Sequence, residues 1–219
     1  MAKGFTLYSF HTSSASHRVR IALYLKGIAF DYVPVNITKQ GTEEWESYRH
    51  KNPQALVPAL HHDGHLLTQS MAILEYLEEV APTPALLPKA PADRARVRSV
   101  AMYIVSEIQP MQNLRVQRHL YSAHGKTEAE GMEWRRHWVA LGMDALERQI
   151  NDGRAGLFCH GDAPTIADCC LIPQIDAARR WGLDVNRWPT IARIGAHAST
   201  LEAFQKASPA EQPDAPNKA

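Results

Sequence analysis

The sequence predicts an N-terminal α/β domain built on a mixed sheet, followed by a domain made only of helices. Three observations lead to this prediction. Strand and helix patterns alternate as β-α-β-α-β-β-α over roughly the first eighty residues. Four prolines then interrupt the chain between Ala81 and Pro91, so no helix can cross this segment. Beyond it, apolar residues recur at helical spacing, as at Val97, Val100 and Ala101.

The first elements have the pattern of a β-α-β unit. Phe5–Phe10 and Ala29–Val35 are predicted to be strands. Between them, Ser16–Lys26 is predicted to be a helix that ends at Gly27. Trp45–His50 then has the pattern of a short helix.

A hairpin and a third helix complete the α/β domain. Asp63-Gly64 separates Ala59–His62 from His65–Thr68, and this dipeptide tolerates the positive φ of a tight turn. The two strands are therefore expected to be antiparallel. Apolar residues at helical spacing after Ser70 predict the helix that follows.

The second half of the chain is predicted to be helical throughout. Thr165 and Asp168 are spaced for reciprocal capping of a first turn, so we interpret Asp168 as structural. A last helix is predicted from Thr190 to about Ala207, and residues 208–219, with three prolines, are predicted to form an extended or frayed tail. The predicted domains are therefore 1–82 and 92–219, joined by a proline-rich linker at 83–91.

The composition is that of an ordinary globular protein. The chain has 219 residues, of which 45% are hydrophobic and 21% charged, with a formal charge of +1. These values give no electrostatic reason to expect a nucleic acid or a membrane surface as a partner. The N-terminus lacks the apolar run of a signal peptide, and no segment approaches the ~20 apolar residues of a membrane span. We therefore expect a cytoplasmic protein.

Cysteine and histidine patterns do not indicate a metal site. Cys159, Cys169 and Cys170 are odd in number and contain no Cys-x-x-Cys pair, so we expect reduced and mostly buried thiols. The run from His61 to His65 is explained by the hairpin, since its side chains alternate between the two faces of the sheet. No metal is expected.

A run of hydroxyl side chains, Thr12, Ser13, Ser14 and Ser16, precedes the first predicted helix. A helix N-terminus has backbone N–H groups without intrahelical partners and a partial positive charge, so it favours an anion such as a thiolate or a carboxylate. The same residues are also ordinary N-caps. From this pattern alone, both an anion site and a simple cap remain open.

Short motifs along nearly the whole chain add a resemblance to a known family. In the first half they are Ser13-Ser14-Ala15-Ser16, Arg18–Leu23, Lys26-Gly27, Asn52-Pro53, Val57-Pro58, Gln69-Ser70, Glu75–Glu79 and Pro82-Thr83-Pro84. In the second half they are Ile108-Gln109-Pro110, Gln112-Asn113-Leu114, Gly161-Asp162, Ala167-Asp168, Pro173-Gln174, Arg180 and Gln212-Pro213-Asp214. With its elements in this order, the chain resembles the cytosolic glutathione transferases, and most of all their zeta class, whose members act as maleylacetoacetate isomerases.

The resemblance implies a thioredoxin-like N-terminal domain, an all-helical C-terminal domain, a homodimer, and glutathione as the cofactor. It places the catalytic group at Ser13, Ser14 and Ala15, with the Ser13 hydroxyl bonded to the glutathione sulfur. It further implies a glutathione site formed by Ser13, Ser14, Val57, the cis-proline Pro58, Gln69, Ser70, Gln109 and Asn113. A thiol has a reference pKa near ~8.5, so hydroxyl donors at a helix N-terminus would increase its ionised fraction at neutral pH.

The implied reaction is the cis–trans isomerisation of a maleyl diketo acid, maleylacetoacetate to fumarylacetoacetate, in the degradation of aromatic compounds. A thiolate adds to the double bond, the resulting single bond rotates, and elimination returns the thiolate. Such a substrate carries two carboxylates, which arginine binds well through paired donors. The candidates to hold this small dianionic diketo acid are Arg180, Arg115 and Thr12.

Two departures from the zeta pattern leave the substrate open. Zeta enzymes typically read Arg-Ser-Ser-Cys-Ser where this chain has Thr12 in place of the arginine and Ala15 in place of the cysteine. Gln109 favours maleylacetoacetate, since related maleylpyruvate isomerases tend to have a histidine there, whereas Arg115 favours maleylpyruvate. The alternatives are a maleylpyruvate isomerase, a conjugating or dehalogenating transferase, and a glutathione-binding protein without isomerase activity.

Overall fold

The computed structural model describes residues 4–216, which fall into two compact units. One unit contains the described residues up to Leu86 together with those from Ser199 onward. The other runs from Leu87 to Ala198. The structure therefore differs from the predicted domain 92–219, because the C-terminal segment belongs to the unit that contains the sheet.

The first unit is built on a four-stranded mixed sheet with strand order β2-β1-β3-β4. Its strands are β1 (Phe5–Ser9), β2 (Phe30–Pro34), β3 (Ala59–His62) and β4 (His65–Thr68). β1 pairs parallel with β2 and antiparallel with β3, and β3 pairs antiparallel with β4 across the Asp63-Gly64 turn. This confirms the predicted mixed sheet and its hairpin.

Three helices accompany the sheet: α1 (Ser14–Leu25), α2 (Glu43–Lys51) and α3 (Ser70–Val80). Leu7 and Leu60 face each other across β1 and β3 and are fully buried, as are Ile21 of α1 and Leu74 of α3. Burial of such side chains contributes about 1.5 to 3 kcal/mol each, so these apolar faces hold the helices on the sheet. The predicted order of elements, and with it the thioredoxin-like fold, is confirmed.

The C-terminal segment, residues 199–216, continues the first unit. It contains α9 (Glu202–Ala207) and a short 3₁₀ turn, Pro209–Glu211. The side-chain amide of Gln212 donates to the carbonyls of Lys206 and Ser208, at 2.8 and 2.7 Å. The prediction of an extended or frayed tail is therefore wrong for residues 208–216, because the 3₁₀ turn and these local hydrogen bonds give the segment a defined conformation.

The second unit is helical, as predicted. Its helices are α4 (Pro91–Met102), a π-helix (Tyr103–Ile108), a 3₁₀ helix (Gln109–Gln112), α5 (Leu114–His124), α6 (Glu128–Ile150), α7 (Ile166–Arg180), a 3₁₀ turn (Val185–Arg187) and α8 (Pro189–Ala198). The predicted last helix is in fact two, α8 and α9, with a break between them.

The N-terminus of α7 is held by a buried capping box. Asp168 is fully buried and accepts hydrogen bonds from the backbone N–H and the hydroxyl of Thr165, both at 2.8 Å. Its other oxygen accepts from the backbone N–H of Cys159 at 2.8 Å. Burial raises the pKa of Asp168, and these hydrogen bonds oppose that rise. The interpretation of Asp168 as structural agrees with this geometry.

Across residues 4–216, no helix is long and apolar enough to cross a membrane. In the same range there is no group of three or more His, Cys, Asp or Glu side chains arranged to hold a metal ion. His62 instead stacks on Phe5, with ring centroids 3.7 Å apart, and its Nδ1 lies 2.7 Å from the hydroxyl of Tyr76. The three cysteines are buried free thiols.

We expect Asp168→Ala to destabilise the protein by about 3 to 5 kcal/mol, because it leaves three buried donors without an acceptor. Urea unfolding followed by tryptophan fluorescence measures the change. Glu130→Ala is the matched control, since Glu130 has the same position in the solvent-exposed capping box of α6. Equal losses from the two variants would contradict the assignment of the buried box as the main constraint on α7.

Candidate active site

The predicted serine motif lies at a turn that leads into α1. Residues 10–13 form this turn, which is closed by a hydrogen bond of 2.9 Å from the backbone N–H of Ser13 to the carbonyl of Phe10. Ser13 is the N-cap of α1, and its hydroxyl oxygen accepts from the backbone N–H of Ser16 at 3.2 Å. The helix begins at Ser14, two residues before the predicted start. Of the hydroxyl residues Thr12, Ser13, Ser14 and Ser16, Ser13 at the end of the turn is therefore the one that caps the helix.

The cap bond and an anion site use different parts of the Ser13 hydroxyl. The oxygen accepts from Ser16, whereas the hydroxyl proton is a donor that the cap bond does not use. Thr12, Ser13, Ser14 and Ala15 are all partly exposed, so a ligand can reach this helix N-terminus. The two interpretations of the motif are therefore compatible, because one hydroxyl can cap the helix and donate to an anion.

The peptide bond between Val57 and Pro58 is cis, as the resemblance implies. Both residues are buried, and they immediately precede β3. Asn52 fixes the loop before them, because its side-chain amide donates to the carbonyl of Leu56 at 2.8 Å. The backbone of Val57 is thus held beside the central strands of the sheet.

Gln69 and Ser70 lie at the start of α3. Gln69 has a positive φ of 71°, which is uncommon for a residue with a side chain, and its amide nitrogen donates to Oε1 of Gln54 at 2.7 Å. Ser70 is buried, and its hydroxyl accepts from Nη1 of Arg18 at 3.1 Å. Arg18 thereby joins α1 to the N-terminus of α3, so the serine motif and the Gln-Ser pair lie on two helices that contact each other.

Sequence reasoning missed the roles of Arg18, Arg20 and Gln54. Arg18 and Arg20 are almost fully buried, although they belong to a motif that we used only for the resemblance. Arg20 donates to the hydroxyl of Ser9 at 3.2 Å and to the carbonyl of His11 at 3.1 Å. Burial lowers the pKa of Arg20 to about 10. Two arginines that alternate with the apolar residues Val19 and Ile21 were the available signal, because buried charges require partners.

In the second unit, Gln109 and Asn113 flank a single 3₁₀ helix. Gln109 begins it, and Asn113 is the N-cap of α5, with Oδ1 accepting from the backbone N–H of Arg115 at 3.0 Å. The cap uses the amide oxygen of Asn113, whereas a ligand would have to use its NH₂ group. Arg115 itself is exposed.

Arg180 is the last residue of α7 and lies 5.7 Å from the centroid of the Trp181 ring. Partial burial lowers its pKa, and the nearby Asp176 opposes that shift. Gln112 connects this region to the 3₁₀ helix, since it accepts from the indole of Trp181 and donates to Gln174, both at 2.7 Å. Within the second unit, the structure therefore brings the end of α7 close to the 3₁₀ helix that begins at Gln109.

Comparisons with known proteins agree with this architecture. The family model for the glutathione S-transferase N-terminal domain matches residues 3–79, and that for the C-terminal domain matches residues 139–204. Maleylacetoacetate isomerase of Mus musculus is 44% identical over 96% of this chain and 94% of its own length. Maleylpyruvate isomerase of Ralstonia sp is 42% identical over 95% of this chain and 98% of its own.

Two solved structures are similar over nearly their whole length. A holo maleylpyruvate isomerase, described as a bacterial glutathione S-transferase of the zeta class, has a TM-score of 0.91 at 42% identity and covers 96% of this chain and 99% of its own. Maleylacetoacetate isomerase from Anaeromyxobacter dehalogenans with bound glutathione has a TM-score of 0.87 at 47% identity, covering 97% and 98%. On these grounds the chain belongs to the glutathione S-transferase family and to its zeta class.

Proposed function

We propose that the protein is a glutathione-dependent isomerase that converts maleylacetoacetate to fumarylacetoacetate. The observation that carries the proposal is the Ser13 hydroxyl at the N-terminus of α1, where its proton can be donated to a sulfur anion. Relatives at 42 to 44% identity are named maleylacetoacetate or maleylpyruvate isomerases. When bound, glutathione supplies the thiolate that adds to the double bond and is later eliminated.

The residues of this chain have separate tasks in such a reaction. Ser13 donates to the sulfur and, with the dipole of α1, stabilises its ionised form. Val57, held before β3, offers its backbone to the peptide groups of glutathione. Gln69 and Ser70 offer polar groups at the start of α3 to the γ-glutamyl end. The same site suits glutathione whichever maleyl substrate is used.

We assign the second unit to the dianionic substrate. Arg180 can bind a carboxylate through two parallel N–H donors, and its partial desolvation strengthens such a pair relative to one in water. Arg115 is a second cation for this task in the same unit. Thr12, which belongs to the first unit, is a separate candidate, since zeta enzymes typically have an arginine at its position. Gln109 begins the 3₁₀ helix and Asn113 follows its last residue, and the family resemblance assigns both to glutathione binding.

A second candidate substrate is maleylpyruvate, favoured by Arg115 and by the similarity to the Ralstonia enzyme. Incubating the protein with glutathione and each cis diketo acid, and following the loss of its absorbance, decides between the two. Consumption of neither, with glutathione bound, would favour a transferase or a binding protein. We further propose that the protein is a cytoplasmic homodimer. Light scattering on the purified protein tests the oligomeric state.

We expect Ser13→Ala to raise the apparent pKa of bound glutathione by about 1 to 2 units, because a hydrogen bond to a charged group is worth about 1.5 to 3 kcal/mol. Ultraviolet absorbance of the thiolate, titrated against pH, measures the shift. Thr127→Ala is the control for a lost N-cap, since Thr127 caps α6 in the same way. An unchanged titration would remove Ser13 from this role and leave Ser14 or Thr12.

We expect Arg180→Lys to lower isomerisation of the diketo acid about 10-fold or more, because the charge remains but the paired donors are lost. Glutathione affinity is expected to change little. Steady-state kinetics and calorimetry measure the two effects. Arg179→Lys is the matched control, since Arg179 is the neighbouring arginine, is exposed like Arg180, and pairs with Asp176 at 3.7 Å. Equal losses in rate and glutathione affinity would place Arg180 outside the substrate site.

We expect Thr12→Arg to lower the KM for the dianionic substrate, since a cation there is worth ~1 to 2 kcal/mol at the dielectric of a partly open site. Ala15→Cys is expected to change little, because glutathione already provides the sulfur. Kinetics at two salt concentrations test both statements. The unaltered protein is a binding protein if it binds glutathione without isomerising either substrate and the variant with both Thr12→Arg and Ala15→Cys is active.

A further inference from the structure

The C-terminal segment, residues 199–216, reaches the turn that presents Ser13. The backbone N–H of His11 donates to Oδ2 of Asp214 at 3.0 Å, and the imidazole Nδ1 of His11 lies 3.4 Å from the same oxygen. Both side chains are largely buried. The carboxylate of Asp214, near the C-terminal end of the sequence, therefore accepts a hydrogen bond from the backbone of His11. His11 lies two residues before Ser13, the residue that we propose donates to the glutathione sulfur.

The position of Asp214 is itself fixed. The hydroxyl of Tyr32 on β2 donates to Oδ1 of Asp214 at 2.6 Å. Burial and this hydrogen bond together raise the pKa of Tyr32. At the C-terminal end of α9, Nε of Arg20 donates to the carbonyl of Ala207 at 2.9 Å, which holds the segment that leads to Asp214. The carboxylate is thus attached to the sheet as well as to the turn.

The opposite side of the turn is held by Arg20. Its Nη1 lies 3.4 Å from the carbonyl of Phe10, and its Nη2 lies 3.1 Å from the carbonyl of His11. Both backbone polar groups of His11 are therefore bonded to groups outside the turn, the carbonyl to Arg20 and the N–H to Asp214. With His11 fixed in this way, the rest of the turn, which ends at Ser13, has little freedom to move.

We propose that Asp214 is a positioning residue for the thiolate site: through the backbone of His11 it fixes the turn that holds the Ser13 hydroxyl on the glutathione sulfur. The inference rests on the proposed function only in that glutathione binds at Ser13. Hydrogen bonds weaken steeply with distance and angle, so a small displacement of Ser13 reduces the stabilisation of the sulfur anion. Asp214 touches neither substrate nor cofactor in this role.

The sign of the effect separates positioning from simple electrostatics. A negative charge near a thiolate disfavours its ionisation, so removing Asp214 as a charge alone would lower the pKa of bound glutathione. Removing it as a positioning group instead raises that pKa, because the hydroxyl of Ser13 loses its alignment. The two explanations therefore predict shifts in opposite directions.

The experiment compares Asp214→Ala and Asp214→Asn with the unaltered protein. We expect the pKa of bound glutathione, titrated by thiolate absorbance, to rise by about one unit in Asp214→Ala, which is a tenfold loss of thiolate below that pKa. Asp214→Asn should give a smaller rise than Asp214→Ala. The asparagine keeps one acceptor oxygen for the two donors, His11 N–H and Tyr32 O–H, whereas alanine keeps none. Hydrogen–deuterium exchange of the peptide covering residues 8–14, without glutathione, should become faster in both.

Glu202→Gln is the matched control. It removes one carboxylate from the same C-terminal segment, where Glu202 forms an exposed ion pair with Lys206 at 2.8 Å, and we expect neither the titration nor the exchange to change. An unchanged or lower pKa in the Asp214 variants overturns the proposal, as does failure of both variants to fold. If the unaltered protein showed no isomerase activity, only the proposed function would be refuted. The thiolate titration and the hydrogen–deuterium exchange would still test the role of Asp214, because neither of them requires turnover.

Discussion

The buried guanidinium of Arg20 is the constraint on which the first unit depends. It donates to the Ser9 hydroxyl at the end of β1, to two carbonyls of the turn, and to Ala207 at the end of α9. A charge removed from water is tolerated only when its donors are satisfied, so these four groups must keep their positions relative to one another. One side chain therefore couples the sheet, the serine turn and the C-terminal segment.

This coupling bears on the two tasks of Ser13, the N-cap that the structure shows and the sulfur contact that we propose. An N-cap needs its oxygen directed at the helix backbone, and a sulfur donor needs its proton directed away from it. One hydroxyl meets both conditions only if the backbone before it is fixed. Rotation of the turn would otherwise move the hydroxyl away from the N–H of Ser16 or away from the sulfur. Arg20 binds the carbonyl of His11 and Asp214 binds its N–H, so the backbone before Ser13 is fixed. Only the side-chain torsion of Ser13 is then left to adjust the direction of its hydroxyl.

The order of strands and helices, the Asp63-Gly64 hairpin and the capping box at Asp168 could be predicted from the sequence, because each depends on local patterns. The helix start at Ser14 could not, since Thr12, Ser13 and Ser16 are all acceptable caps and only the turn selects among them. The docking of residues 199–216 was also missed, because it rests on bonds to residues nearly two hundred positions away. The site residues were located through the family resemblance, and their roles stay predictions.

The replacement of the usual zeta-class arginine by Thr12 makes this rigidity more important. A cation stabilises an anion over several ångströms and tolerates small displacements, because Coulomb energy falls only gradually with distance. A hydrogen bond from Ser13 has a much narrower range. The charge of Arg20 provides little compensation, because it lies among the carbonyls of the turn and close to Asp214. A thiolate bound at Ser13 as we propose would therefore depend mainly on short-range donors, and short-range donors are effective only on a fixed backbone.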